Sequence, residues 1–376
     1  MLPQFPVAAR VKFLLNPLGL YLHIPFCEKR CAYCDFYSAF TSEEMLDKYT
    51  VALKREIIKW GGLIDRPIDT IYLGGGTPSL LGDRIAPIMT CVRDNFSVQE
   101  NAEITVEVNP DTATDNFLCA AKQSGVNRIS IGAQSSNDKM LKLLGRKHSS
   151  TDTVSAVKRA RKAGFSNITL DLMIGLPDSS LGTLERDIDF ILSLSPSHIS
   201  AYILKVEPDT ALGRCADTLN LPDDDAVAEQ YLFMCDKLSL NGFSHYEISN
   251  FSKNGFEGKH NMKYWQDQEY IGIGPAAHSF YRDRRFYYPC DLHGFIKGND
   301  VVYDGSGGDK SERLMLGLRL KKGIDLTDIY SKVPDEIIAR AEQLEVAGLI
   351  NYSYPHVSLT DKGMLLSNSV ILELSI

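Results

Sequence analysis

Short runs rich in β-branched and aromatic residues alternate along the chain with longer stretches in which apolar residues recur at helical spacing. Six such runs read as strands: Leu20 to Ile24, Thr70 to Leu73, Glu103 to Val108, Arg128 to Ile131, Asn167 to Met173 and His198 to Leu204. Helical stretches follow them: Ser42 to Trp60, Asp83 to Asp94, Thr112 to Ser124, Thr151 to Ala163, Thr183 to Ser193 and Asp224 to Leu240. Several open on Ser, Thr or Asp, and Gly164 and Gly242 supply stops after two of them. This rhythm predicts an α/β fold of six β-α units around a parallel sheet, an incomplete barrel.

Polar residues collect where the strands end. Cysteines follow the first strand, Gly74-Gly75-Gly76-Thr77-Pro78 the second, Glu107-Val108-Asn109-Pro110 the third and Gly132-Ala133-Gln134 the fourth, while Asp171 lies within the fifth. Each alone is explained as a turn or a cap. Five on one rim point to a site, because the β-α loops of such a barrel converge at the strand C-termini.

Beyond residue 290 the texture changes. Val301 to Asp309 reads as a glycine-rich acidic hinge, Ser311 to Leu320 and Pro334 to Ala347 as helices, and Leu349-Ile350 with His356 to Leu359 as a hairpin before a last helix. The expected organisation is an N-terminal extension (1–18), a barrel (19–245), a connector (246–300) and a small, mainly helical, winged-helix-like C-terminal domain (301–376).

Composition narrows the function classes. A net charge of -8 argues against a nucleic-acid reader, and neither a secretory leader nor a bilayer-spanning run is apparent. Five of the eight cysteines, Cys91, Cys119, Cys215, Cys235 and Cys290, stand singly among apolar neighbours and read as core residues. The pattern suits a reducing, cytoplasmic compartment.

The other three carry the chemistry. Cys27, Cys31 and Cys34 form C-x3-C-x2-C on one loop, offering three thiolates to one inorganic centre. A 4Fe-4S cubane takes four ligands, so three leave one iron open. A structural zinc ion would need a fourth His or Cys nearby.

This motif resembles that of the radical S-adenosylmethionine (SAM) superfamily, in which the open iron is chelated by the amino and carboxylate groups of SAM and reductive cleavage yields a 5'-deoxyadenosyl radical. Tyr21 to Cys27, Gly74 to Ser79, Arg128 to Ser135, Leu144-Gly145-Arg146 and Ile174 to Pro177 are similar, in order, to landmarks of its coproporphyrinogen III oxidase-like branch, and more closely to the HemW family of haem chaperones. The resemblance implies that Cys27, Cys31 and Cys34 hold the cluster. SAM would lie against Tyr21, Tyr33, Gly75, Gly76, Thr77, Glu107, Gln134, Arg146 and Asp171, with Tyr33 beside the adenine and the glycine carbonyls at the amino group. Read alone, the triglycine fits a tight turn and Arg146 a solvated helix-end cation.

Two features separate the branches. The porphyrinogen oxidases carry a further cysteine two positions after the third ligand, where this chain has Phe36, which cannot bind metal. His260-Asn261-Met262-Lys263-Tyr264-Trp265 matches the HNxxYW motif of the chaperones. There His260, Tyr264 and Trp265 would contact haem as cargo, with His278 and His23 as candidate second ligands; the alternative is a structural histidine with both aromatics in the core. The implied partners are haem, apo-haemoprotein acceptors such as respiratory cytochromes, an electron donor and a second copy of the chain, with peripheral membrane contact arising through the acceptors. The competing expectation is a radical enzyme, an oxygen-independent coproporphyrinogen III oxidase.

Overall fold

The computed structural model describes residues 16–375, so the N-terminal extension lies almost wholly outside the described residues. Six parallel strands stand in chain order: β1 (Leu18–Ile24), β2 (Ile68–Gly75), β3 (Val98–Val108), β4 (Arg128–Gln134), β5 (Asn167–Ile174) and β6 (His198–Ile203). β1 is buried on both faces except at Tyr21, and β4 throughout. That is the burial of central parallel strands covered by crossover helices.

The helices are α1 (Glu43–Gly61), α2 (Ile85–Asn95), α3 (Asp115–Gln123), α4 (Asp138–Leu143), α5 (Ser150–Lys162), α6 (Leu181–Ser193) and α7 (Asp224–Leu240). In α1 the buried residues Leu46, Tyr49, Leu53, Ile57 and Trp60 recur at three- and four-residue steps, laying one stripe on the sheet. Ser42, Thr114, Ser149, Ser180 and Asp223 each accept a hydrogen bond from a first-turn backbone N–H, and Gly164 and Gly242 adopt positive φ at the helix stops. The capping residues therefore act where their chemistry predicts.

The sheet extends past the expected six strands on both sides and does not close. A hairpin of β7 (Ser244–Glu247) and β8 (Asn250–Ser252) pairs antiparallel with β6. On the far edge β9 (Tyr270–Ile273) lies parallel to β1, followed by β10 (His278–Tyr281), β11 (Arg284–Tyr287) and β12 (Val302–Ser306) in antiparallel order. The segment expected to be a hinge is thus an edge strand: Val302 and Tyr303 pair with Tyr287 and Phe286, and a glycine-rich sequence does not prevent pairing with an existing edge.

Between β8 and β9 the chain crosses from one side of the six barrel strands to the other, carrying α8 (Lys259–Trp265) beneath their N-terminal ends. Lys263 there pairs with Asp69 at 2.8 Å, and the Lys259 and His260 N–H groups donate to Glu103. After α9 (Leu292–Lys297) and β12, the C-terminal region comprises α10 (Lys310–Gly317), α11 (Asp335–Val346), α12 (Asp361–Leu365), α13 (Ser367–Leu374) and a small sheet of β13 (Ile324–Asp325), β15 (His356–Leu359) and β14 (Ile350–Ser353), in that spatial order. It docks on the barrel edge through backbone bonds from Ile248 to Arg319 and from Lys321 to Tyr246. Among the described residues no helix is long and apolar enough to cross a membrane.

Candidate cluster and SAM site

The cysteine loop leaves β1 at the C-terminal rim and is tied down before it can bind anything. Ala39 donates to the Pro25 carbonyl, Ala32 to Leu144, Leu212 to Ala32, and the Arg30 side chain to the Cys34 carbonyl. Cys27, Cys31 and Cys34 are free, partly buried thiols. Burial pushes the thiols of Cys27 and Cys34 above their ordinary range, and each also feels the neighbouring cysteine sulfurs. Binding iron would expel those protons. Cys91 and Cys235 are buried as expected, whereas Cys119, Cys215 and Cys290 are exposed, so the core assignment holds for two of the five.

The donor set itself decides what it fits: three free thiols on one loop, with no fourth cysteine or histidine in the motif, suit a cubane with one ligand per iron and one iron left open.

Arg146 links the loop to the barrel. The unpredicted short helix α4, capped by the Asn137 side chain, ends at Gly145 with φ 76° and delivers Arg146 into the mouth. One guanidinium nitrogen donates to Cys31 Sγ at 3.4 Å, and the other to Asn109 Oδ1 at 3.0 Å and the Gly132 carbonyl at 2.6 Å. Its Nε is buried without a partner. A Cβ on Gly132 would come within 2.5 Å of the guanidinium, which explains glycine at that rim position. Arg146 is no solvated helix-end cation.

The other rim residues converge from successive strands. Asn109 donates to Thr77 Oγ1, which reaches Cys27 Sγ at 3.7 Å. Glu107 accepts from the Tyr72 hydroxyl at 2.7 Å and the Gly75 N–H at 3.0 Å. Gln134 holds a left-handed backbone, φ 67°, and accepts from the Tyr202 hydroxyl at 2.6 Å. Strain at a non-glycine position of this kind is typical of ligand sites. Tyr33 packs with Leu144, Met173 and Leu212. Tyr21 bonds His23 Nδ1 at 2.9 Å and lies deeper, 6.2 Å from the Tyr72 ring. The glycine run is tight against its own chain: a Cβ at Gly75 would strike the His23 ring and one at Gly76 the Phe26 backbone. Asn109, Tyr72, Tyr202 and Ser130 complete the site but carry no local signal beyond their positions on or beside strand ends.

Two carboxyls share this interior. Burial pushes Asp171 up to about 7, with the nearby Glu107 carboxylate adding to it, while Ser130 donates to Asp171 at 3.2 Å. Glu107 is likewise raised by burial. Because the folded-state value of Asp171 lies above its ordinary 3.8, its contribution to stability is fully present below about pH 4 and is lost as the pH rises through about 7. Asp171→Asn should therefore be more stable than the parent at pH 8, by on the order of 1–2 kcal/mol, with the gap closing near pH 4. Urea unfolding of the ligand-free protein at both pH values checks this; a gap that widened on acidification would contradict it.

The HNxxYW segment lies elsewhere. His260 is 1% exposed at the opposite end of the strands. Its Nδ1 bonds Thr70 Oγ1 at 2.9 Å and its Nε2 the Tyr264 hydroxyl at 2.7 Å, while Tyr72 stacks on the ring. Burial holds its pKa down to about 3. Trp265 takes the Arg319 guanidinium over its ring at 5.8 Å, facing the C-terminal region. Both ring nitrogens are thus engaged within the protein, the arrangement that the structural alternative describes. Of the candidate second ligands, His23 is buried beside the cluster loop, and His278 is exposed and stacked on Tyr287.

Comparison with known proteins agrees with the fold and the motif. The Radical SAM superfamily profile matches residues 21–191, and the HemN C-terminal domain profile matches residues 311–366. The chain is 35% identical to "Heme chaperone HemW" of Mycobacterium tuberculosis, over 95% of this chain and 94% of the relative. It is 36% identical to the protein of that name from Bacillus subtilis, over 93% and 97%, and 34% identical to that from Escherichia coli, over 95% and 98%. Among solved structures, coproporphyrinogen III oxidase (HemN) of Escherichia coli, a radical SAM enzyme, superposes with a TM-score of 0.84 at 22% identity, covering 97% of this chain and 91% of that one. With a cysteine loop, a rim of converging polar residues and full-length relatives in agreement, the chain belongs to the HemW family of the radical SAM superfamily.

Proposed function

We propose that this protein is a haem chaperone that binds haem and passes it to apo-haemoproteins, respiratory cytochromes among them, and that it carries a SAM-ligated 4Fe-4S cluster without using it to decarboxylate a porphyrinogen. The observation that carries the reading is Phe36. It stands 65% exposed at the end of the cysteine loop, two positions after Cys34, where the porphyrinogen oxidases have a further cysteine. A phenylalanine there offers an apolar face and no sulfur. The relatives named as haem chaperones support the same choice.

When bound, the cluster supplies one open iron and one electron. Cys27, Cys31 and Cys34 would hold it, and Arg146 would keep the Cys31 sulfur and a carboxylate in register through its planar donors. Glu107, Gln134 and Asp171 would position the rest of SAM. Replacing Glu107 or Asp171 by alanine should lower SAM affinity at least about tenfold, the worth of one charged hydrogen bond, with iron content unchanged. Equilibrium dialysis of both variants with unchanged affinity would remove those residues from the site.

Turnover separates the proposal from the oxidase reading. Anaerobic incubation of the reconstituted protein with coproporphyrinogen III, SAM and a reductant should give no protoporphyrinogen, while haem titration should give a saturable complex. Stoichiometric decarboxylation would make the protein a porphyrinogen oxidase.

A further inference from the structure

Cys235 of α7, His245 of β7 and Asp361 in the first turn of α12 each place one donor atom within 4.8 Å of the others. They are far apart in sequence and belong to two bodies, the barrel edge and the C-terminal region. Cys235 is 5% exposed and the His245 side chain 9%. His245 Nδ1 lies 3.2 Å from Asp361 Oδ1, and its ring is fixed by stacking on Phe251 with centroids 4.4 Å apart. The three line one cleft together with Lys321, Ser239 and Ser244.

Nothing in the SAM site uses these residues. A thiol, an imidazole and a carboxylate converging on a cleft are the mixed donor set of zinc rather than of calcium or magnesium, which take oxygen ligands only. We infer that Cys235, His245 and Asp361 form a second metal site, for one zinc ion, joining the C-terminal region to the barrel edge independently of the iron-sulfur loop.

The spacing supports it. Tetrahedral zinc with bonds of about 2.0–2.3 Å wants donors about 3.3–3.8 Å apart, and the His245 to Asp361 separation is already at that scale. Three protein ligands leave a fourth position on the cleft side for water. On binding, the Cys235 thiol gives its proton to solvent and the zinc–sulfur bond replaces it. Lys321 also pairs with Asp361. Its contact and that of His245 both use Oδ1, and the ion would take that oxygen in place of the His245 hydrogen bond. Because α12 follows directly on β15, the ion would fasten the small sheet and its helices to α7. This inference stands whether or not the protein is a haem chaperone.

The test is a metal count on the full-length protein, reconstituted anaerobically with iron and sulfide, dialysed against zinc sulfate and then against metal-free buffer. Inductively coupled plasma spectrometry should find about one zinc per chain besides the iron. His245→Gln and Asp361→Asn should each lose the zinc and keep the iron, and Cys27→Ala should lose the iron and keep the zinc. Lys321→Met breaks the same ion pair as Asp361→Asn but spares all three donors, so it should retain zinc and exclude a mere loosening of the fold. Zinc retained in both donor variants, zinc lost with Cys27→Ala, or zinc lost with Lys321→Met would overturn the assignment.

Discussion

Alanine in place of Cys27, Cys31 or Cys34 should reduce the iron content from about four per chain to near zero in each single variant. The effect is all-or-none because three protein sulfurs is already the minimum: with two ligands the cubane has two irons without protein donors, and nothing else on the loop replaces a thiolate. Glu28, Lys29, Arg30 and Phe36 surround the motif, and only Glu28 among them could approach iron, as a weaker oxygen ligand. Cys91→Ala and Cys119→Ala should leave the iron untouched, since Cys91 packs in the core and donates toward the Lys54 carbonyl and Cys119 sits exposed on α3. Iron and sulfide analysis after anaerobic reconstitution decides; cluster loss from Cys91→Ala with retention in Cys31→Ala would show the motif to be misassigned.

His260→Ala should cost about 3–5 kcal/mol of stability and leave the haem spectrum unchanged. The cost has two parts: removing the ring strands the buried Thr70 and Tyr264 hydroxyls, each worth about 1–3 kcal/mol when unsatisfied, and leaves a cavity beneath Tyr72. Because α8 bridges the two sides of the open barrel, the loss should appear as early unfolding of the barrel base. Thr70→Val, which removes one of the two hydrogen bonds and fills the space, should be milder. The measurement is a denaturant midpoint beside a haem titration of the same preparations. A shifted Soret band from a His260→Ala protein as stable as the parent would instead make His260 an iron ligand.

These two residues sets show how unevenly chemistry can be read from a chain. The cysteine motif is local: its spacing alone places three sulfurs on one loop, and fold context only refines where that loop sits. The HNxxYW motif is equally local, yet its residue types are ambiguous, since an imidazole beside two aromatics serves an iron or a buried hydrogen-bond network equally well. The choice depends on which end of the barrel α8 reaches. That follows from β8 and β9 flanking the six barrel strands on opposite sides, a pairing no short-range pattern encodes.

Periodicity and capping residues were sufficient for the six parallel strands, their crossover helices and the rim of polar residues at the strand C-termini, because strand and helix periods and caps are set by neighbours a few positions away. Phe36 and the net charge of -8 were likewise legible without coordinates. Tertiary structure decided the remainder. The edge strand at Val302–Ser306, the seventh parallel strand β9 and the bridge from Arg146 through Asn109 to Thr77 all join residues tens to hundreds of positions apart. So does the meeting of Cys235 and His245 with Asp361, where a cysteine that reads as ordinary core becomes a candidate ligand. Long-range pairing is settled by which buried surfaces and unpaired backbone groups are left to satisfy once the local elements exist, and that is a property of the assembled fold.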